Sequence, residues 1–132
     1  MKLNTLELDI EASQEVYEVE YHLILEIDGA NFLDAIDPLS LVYFPELIKT
    51  VQGSGDFLIF TCACGVADCA GWEKVGVTHA EETVACDFSY NGNTYAFRFD
   101  KNYYIGEIQR LIFEVELHKY KIEPEHVIEP MG

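Results

Sequence analysis

Apolar and polar residues alternate most regularly at the start of the chain. Apolar residues alternate with polar, mostly acidic ones over residues 3–12 and again over residues 17–28. A β-strand points successive side chains to opposite faces of its sheet, so each stretch predicts a strand with one buried face. The short polar break between the two stretches predicts that they pair as a hairpin.

Two later stretches carry apolar residues at the spacing of a helix. This spacing predicts one helix at about residues 42–52 and another at about residues 101–119. Ser40 is the expected N-cap of the first helix and Asp100 that of the second, because a short polar side chain can accept a hydrogen bond from a free N–H of the first turn. Gly106 lies inside the second helix, where glycine is unfavourable, so it is expected to allow close packing there.

The remaining apolar segments predict four more strands. They lie at about residues 56–62, 72–79, 84–88 and 95–99. The first of these is apolar on both faces, as in a strand that is covered on both sides. Asn91-Gly92 separates the last two and predicts a tight hairpin, since both residues tolerate positive φ. Residues 29–39, which contain a proline, are predicted to be a connection.

The order of these elements predicts the fold class. It is ββαββββα in a single domain covering residues 1–132, of which residues 120–132 form an extended tail. Short connections between consecutive strands favour antiparallel pairing. The predicted class is therefore α+β, with a mainly antiparallel sheet of about six strands and two helices packed on one face.

The chain is strongly acidic. It has 24 Asp and Glu residues against 8 Lys and Arg residues, which gives a formal net charge of −16. This charge disfavours binding to nucleic acid backbones and to anionic membranes, and it suits either solubility alone or a basic protein partner. The chain has neither the long apolar run of a transmembrane helix nor the apolar core of a signal peptide at its start, so a cytoplasmic location with reduced cysteines is predicted.

Many of the acidic residues fall on the outward side of the first predicted hairpin. They are Glu7, Asp9, Glu11, Glu18, Glu20 and Glu26. One interpretation is that charge on a sheet face prevents aggregation, which is a routine role. The other is that these residues form a docking surface for a basic protein. The length of the hairpin also leaves open a homodimer formed through its edge.

Three of the four cysteines lie in one short segment together with two glycines. Their spacing is Cys62-x-Cys64-x4-Cys69, and three thiolates close together suggest a zinc site. A structural zinc site needs a fourth ligand, for which Asp68 is the local candidate.

The register of the following strands weighs against two other zinc ligands. It places Val77 opposite Cys86, so Cys86 and His79 are expected toward the far end of the sheet. Two further interpretations of the cysteine segment stay open. One is a disulfide between Cys64 and Cys69, which is disfavoured because no basic residue in the loop lowers a thiol pKa. The other is a tight turn of small residues that holds no metal.

The same segment resembles a motif of a family of small uncharacterised bacterial proteins. Phe60–Gly65 followed by Cys69–Gly71 matches a Cys-x-Cys-Gly loop that runs into Cys-Ala-Gly, and His79 matches a histidine at the end of the next strand. The resemblance covers about residues 40–117. It implies a cytoplasmic bacterial α+β domain and brings with it no activity, cofactor or mechanism.

The sequence assigns no catalytic residue. It contains no glycine-rich phosphate loop, no Gly-x-Ser-x-Gly and no His-Glu-x-x-His, and its four histidines are widely scattered. An enzyme is therefore the weakest hypothesis. The favoured hypothesis is a non-catalytic, acidic interaction protein of the inhibitor or immunity type that binds a basic protein. The alternative is a small zinc- or thiol-centred module built on Cys62, Cys64 and Cys69.

Overall fold

The computed structural model describes residues 2–14, 19–62 and 72–125, which form nine strands and three helices. The strands are β1 (Leu6–Gln14), β2 (Val19–Ile27), β3 (Ala30–Asn31), β4 (Ser40–Val42), β5 (Gly55–Phe57), β6 (Phe60–Cys62), β7 (Val75–His79), β8 (Thr83–Tyr90) and β9 (Asn93–Asp100). The helices are α1 (Phe32–Ile36), α2 (Phe44–Lys49) and α3 (Lys101–His118).

These strands are divided among three sheets. β1, β2 and β3 form the first, β4 and β6 the second, and β5, β7, β8 and β9 the third, each in that spatial order. All neighbouring strands are antiparallel. The predicted α+β class with mainly antiparallel pairing is confirmed. The single sheet of about six strands with two helices on one face is not what the structure shows, because the sheet is split and a third helix is present.

β1 and β2 form the long hairpin that the alternating pattern predicts. Leu8 lies opposite Leu25, and Ile10 lies opposite Leu23, on the inner face of the sheet. The leucines of both pairs are buried. Since side chains opposite each other share a face, the acidic residues between them point outward together.

Residues 29–39 are more than a connection. Asp28 and Gly29 both have positive φ, 54° and 83°, and turn the chain from β2 into the short strand β3. Asp-Gly at a two-residue turn is a strong hairpin signal, which the sequence contained. The Asn31 side chain then caps α1 by accepting a main-chain N–H at 3.2 Å, and Phe32 is buried in the core.

α2 is shorter than the helix predicted at residues 42–52. Its N-cap is Tyr43, whose side chain makes no capping hydrogen bond. Ser40 lies in β4 opposite Cys62, and its hydroxyl accepts a hydrogen bond from Trp72 Nε1 at 2.6 Å. The prediction that Ser40 caps the helix is therefore wrong. Its hydroxyl accepts the side-chain N–H of the buried Trp72 instead of a main-chain N–H of the helix.

The apolar segment predicted as one strand at residues 56–62 is two strands in different sheets. β5 pairs with β7, whereas β6 pairs with β4. Leu58 and Ile59 lie between them and are buried. Because the chain crosses from one sheet to another inside the core, it meets apolar neighbours on both sides, which explains the lack of alternation.

α3 packs across β1, β8 and β9. Asp100 caps it as predicted, accepting a hydrogen bond from Tyr103 N at 2.9 Å. Its inward stripe is centred on Tyr104, Ile108 and Leu111, which are almost completely buried. Gly106 is on the opposite side, where an added Cβ would have no neighbour within 4 Å, so the predicted close packing at Gly106 within the chain is wrong. No helix in the described ranges has the length and apolar character needed to cross a membrane.

The start of the predicted extended tail packs against the first sheet. Ile122 forms a parallel bridge with Tyr21, and Glu123 N donates to Tyr21 O at 2.8 Å. Ile122 and Pro124 are buried. The remainder of the tail, residues 126–132, lies outside the described residues.

Candidate interaction surface

Five of the predicted interaction residues lie on the outward side of the β1–β2 hairpin. We call this surface the acidic face, and it consists of Glu7, Asp9, Glu11, Glu20 and Glu26. The strand register places them there, since Glu7 is opposite Glu26 and Glu11 is opposite His22. The sixth predicted residue, Glu18, lies outside the described residues.

The acidic face brings like charges together. Glu7 and Glu26 are directly opposite each other, an arrangement that typically costs about 0.2–1 kcal/mol relative to a neutral pair. Among the described residues, the only ion pair within 4.0 Å on this face joins Glu20 to His22 at 3.4 Å. No ion pair among the described residues therefore involves Glu7 or Glu26.

Two depressions border the acidic face. The larger has a volume of about 330 Å³ and lies between β1 and α3, where Glu7, Asp9 and Glu26 meet residues of the helix. The smaller, of about 130 Å³, lies on the other side of the hairpin and is lined in part by Glu11, His22 and Asp34. Carboxylates thus line the surface on both sides of the hairpin.

Side chains of α3 bind the outer edge of β1 beside the larger depression. Glu107 Oε2 accepts a hydrogen bond from Leu8 N at 2.8 Å, and Arg110 donates to Leu8 O at 2.5 Å. Tyr103 Oη donates to Leu6 O at 2.7 Å. We call Tyr103, Glu107 and Arg110 the edge clamp, because they occupy main-chain groups that another strand would otherwise use.

The edge clamp is charge-assisted. Arg110 Nε donates to Glu107 Oε1 at 2.9 Å, and this contact, together with the bond from Leu8 N, lowers the pKa of the Glu107 carboxyl despite its partial burial. The same contact raises the pKa of Arg110. The clamp was not predicted, although the Glu-x-x-Arg spacing places both side chains on one side of a helix and was visible in the sequence.

Cys62 is the one predicted metal ligand within the described residues. It ends β6 opposite Ser40, whereas Cys64, Asp68 and Cys69 lie outside the described residues. Among the described residues, no three His, Cys, Asp or Glu side chains are grouped so that they could hold a metal ion. The zinc hypothesis therefore stays a prediction.

The register prediction for the fourth cysteine is confirmed. Cys86 lies opposite Val77 in the third sheet and is buried beside Tyr104. Burial raises the pKa of the Cys86 thiol to about 12, so the thiol is neutral and a poor nucleophile at neutral pH. Thr50 Oγ1 and Tyr104 Oη are 2.6 Å apart in the same region.

Trp72, which follows the undescribed residues 63–71, lies against Tyr90. The ring of Trp72 stacks on that of Tyr90 with 3.7 Å between centroids and 12° between planes. Tyr90 Oη donates to Asp37 at 2.5 Å, which raises the pKa of Tyr90 to about 12, with a smaller contribution from Cys62. The same bond lowers the pKa of Asp37. The Trp72 ring is thus packed against a tyrosine whose hydroxyl is bound by Asp37.

The described histidines have ordinary structural contacts. His22 is paired with Glu20, the His79 ring Nε2 lies 2.7 Å from Thr50 O, and His118 stacks on Tyr120. His126 lies outside the described residues. These contacts assign no catalytic group among the described histidines.

Comparisons with known proteins assign no family. No protein-family model matches the chain, and no significant match was found among curated proteins or solved structures. The resemblance of residues 60–71 to a cysteine-loop family is therefore still an expectation.

Proposed function

We propose that this protein is a non-catalytic, acidic interaction protein whose acidic face binds a basic protein in the cytoplasm. The proposal extends to an inhibitor- or immunity-type role. The observation that carries it is the opposed Glu7–Glu26 pair, which has no cation within ion-pairing distance among the described residues. A cationic side chain from a partner would relieve this repulsion.

The surroundings of that pair support an external cation. The depression beside β1 is bordered by carboxylates from both the hairpin and α3, and its one cationic side chain among the described lining residues is Arg110. Arg110 is already committed, since it binds Glu107 and the main chain of Leu8. The carboxylates of Glu7 and Glu26 thus remain available for a lysine or arginine of the partner.

The net charge determines how such binding would respond to salt. With a charge of −16, the protein attracts a basic partner over long range and accelerates their association at low ionic strength. Screening weakens this attraction, because the Debye length falls from about 10 Å at 0.1 M salt to about 3 Å at 1 M. Binding should therefore be strongest in low salt.

A matched set of variants tests the proposal. Wild type, Glu7→Gln/Glu26→Gln and the control Glu81→Gln/Glu82→Gln would be immobilised and exposed to a lysate of the source cells at low and high salt. The control removes the same charge from the exposed turn between β7 and β8, which belong to a different sheet from the hairpin. A basic protein should bind wild type and control, be lost from the Glu7/Glu26 variant, and be released by high salt. Equal loss in both variants would refute a specific role for the acidic face.

The stability of Glu7→Gln/Glu26→Gln in the absence of a partner is a second readout. Removing the opposed charges should stabilise the free protein by about 0.2–1 kcal/mol. Urea denaturation of the purified proteins measures this difference. A variant that binds the partner less well while being more stable would separate loss of function from loss of folding.

The second candidate is a zinc- or thiol-centred module at Cys62, Cys64 and Cys69, with Asp68 as the fourth ligand. The observation that favours it is that Cys62 lies opposite Ser40, whose hydroxyl accepts the Trp72 Nε1 hydrogen bond, so the two described residues that flank this segment lie near each other. Elemental analysis would test it by comparing the zinc content of the wild type with that of Cys62→Ser, both purified without chelator. A zinc content well below one equivalent per chain in the wild type would refute a structural zinc site.

A further inference from the structure

The outward side of α3 carries an uncharged stripe. We call it the outer face of α3, and it consists of Asn102, Gly106, Gln109, Phe113 and Leu117. Their spacing of three and four residues places them on one side of the helix, opposite the buried stripe. All five are exposed, and Phe113 and Leu117 retain 65% and 62% of their accessible surface.

This stripe is unusual in a protein with such a high charge. From Lys101 to Lys119 the three basic residues Lys101, Arg110 and Lys119 are matched by the three acidic residues Glu107, Glu114 and Glu116, whereas the whole chain has 24 acidic residues against 8 basic ones. Two copies approaching through α3 would thus meet at a charge-balanced surface, whereas two acidic faces would repel each other.

The stripe is also complementary to itself. Gly106 and Phe113 lie at equal distances on either side of the midpoint between Gln109 and Arg110. If two copies of α3 pack antiparallel about a two-fold axis at that midpoint, Phe113 of each copy lies over Gly106 of the other. An added Cβ at Gly106 would have no neighbour within 4 Å, so the ring has space to contact the helix main chain.

We propose that the outer face of α3 is the interface of a homodimer of this chain. The hairpin edge, the other surface considered for dimerisation, is less suitable because the edge clamp already binds the main chain of Leu6 and Leu8. The proposed dimer leaves the acidic face, on the hairpin, for a different partner. It does not depend on the function proposed for that face.

The size of the interface sets the expected affinity. One pair of helices buries less surface than the standard interface of about 1,600 Å², so a weak dimer that depends on protein concentration is expected. Because apolar contact drives the association while the net charge of each copy opposes it, added salt should strengthen the dimer. A basic partner on the acidic face would show the opposite salt dependence.

Sedimentation velocity of the full chain, from micromolar to millimolar concentration at low and high NaCl, tests the proposal. The variants are Phe113→Gln, Gly106→Gln and the control Leu39→Gln, which alters an exposed apolar residue away from α3. Wild type and control should dimerise alike, and the two α3 variants should dimerise at least tenfold more weakly. Gly106→Gln should also raise the melting temperature of the monomer, because glutamine favours helix over glycine, so its weaker dimer cannot be ascribed to unfolding.

Three results would overturn the homodimer. They are a monomer at all concentrations in both salts, equal weakening by Leu39→Gln and Phe113→Gln, and a dimer that dissociates as salt is raised. None of these bears on the acidic face, since Glu7→Gln/Glu26→Gln is expected to leave the dimer unchanged or slightly stronger. Failure of one proposal can therefore be distinguished from failure of the other.

Discussion

Replacing Glu107 by alanine should weaken the contact between α3 and the edge of β1. The substitution removes the acceptor of Leu8 N, a bond of 2.8 Å, and it removes the counter-ion of Arg110. The Glu107 side chain is only 13% exposed, so water replaces the lost acceptor incompletely. A main-chain N–H left without a partner in such a position costs about 1–3 kcal/mol.

The ion pair adds less to this figure than the main-chain bond does. Arg110 is 46% exposed and can be solvated when Glu107 is removed, so its share is below about 1 kcal/mol. We therefore expect Glu107→Ala to lower the free energy of unfolding by about 2 kcal/mol. In a domain of this size that corresponds to a fall of roughly 6–8 °C in melting temperature.

Urea denaturation at neutral pH measures the loss, with Glu114→Ala as the matched control. Glu114 is also on α3 and lies 3.9 Å from Arg110, but it is 46% exposed and binds no main-chain group of β1 in the described residues. The control should cost less than about 0.5 kcal/mol. Similar losses of stability in the two variants would show that the Glu107–Leu8 bond adds little. Glu107 would then act only as an ordinary surface ion-pair partner of Arg110.

The pH dependence of the difference in unfolding free energy between wild type and Glu107→Ala provides an independent check. The pKa of Glu107 in the folded protein is lowered from its ordinary value of 4.5, mainly by Arg110 and then by Leu8 N. Its stabilising contribution is therefore complete above that ordinary value and is lost as the pH falls through the lower, folded-state pKa. The stability gap between wild type and Glu107→Ala should accordingly narrow in acid. A gap that widens in acid would contradict this sign.

Three further outcomes are expected. Gly92→Ala should destabilise the protein by about 1 kcal/mol in urea denaturation, because Gly92 has a φ of 81° in the β8–β9 turn; an unchanged midpoint would contradict this. Cys86, with a pKa of about 12, should resist iodoacetamide in native protein and react once the chain is unfolded, as measured by peptide mass spectrometry; fast native alkylation would contradict its burial. Tyr90→Phe should cost about 1–2 kcal/mol by leaving Asp37 without its phenolic donor, and it should change the fluorescence of Trp72; an unaltered emission spectrum would argue against the stack.

The elements with a clean local pattern were predictable. Period-two alternation identified the first hairpin, and Asn91-Gly92 identified the turn of the last one, where both residues have positive φ. Even the pairing of Val77 with Cys86 followed from counting residues outward from the intervening turn. In each case the physical constraint acts between residues that are close in the sequence.

The elements that were missed depend on contacts distant in the sequence. α1 has five residues, fewer than two turns, so no apolar period can develop, and it is held mainly by burial of Phe32 among four aromatic rings. Ser40 has the chemistry of a helix cap, but a tryptophan 32 residues away determines its hydrogen bond. Such choices are made by tertiary packing, which local propensity does not contain.

The candidate surface likewise has one part that could be predicted from the sequence and one part that could not. The acidic face could be predicted because strand alternation alone places its residues together. The role of Glu107 could not, since it is one of 24 acidic residues and its partner, Leu8 N, is 99 positions away in the chain.

The acidic face and the edge clamp meet in one depression, yet their carboxylates should respond to mutation with opposite signs. Glu107 is compensated within the chain, so its removal lowers stability, and it should also weaken partner binding by letting α3 shift away from the depression. Glu7 and Glu26 oppose each other, so their neutralisation should raise stability while weakening binding. A carboxylate retained for folding and a carboxylate retained for recognition are thus distinguishable by the sign of the stability change, without knowledge of the partner. If neutralising Glu7 and Glu26 destabilised the protein instead, their charges would have to be compensated within the fold, and the main reason for expecting a basic partner at this face would be lost.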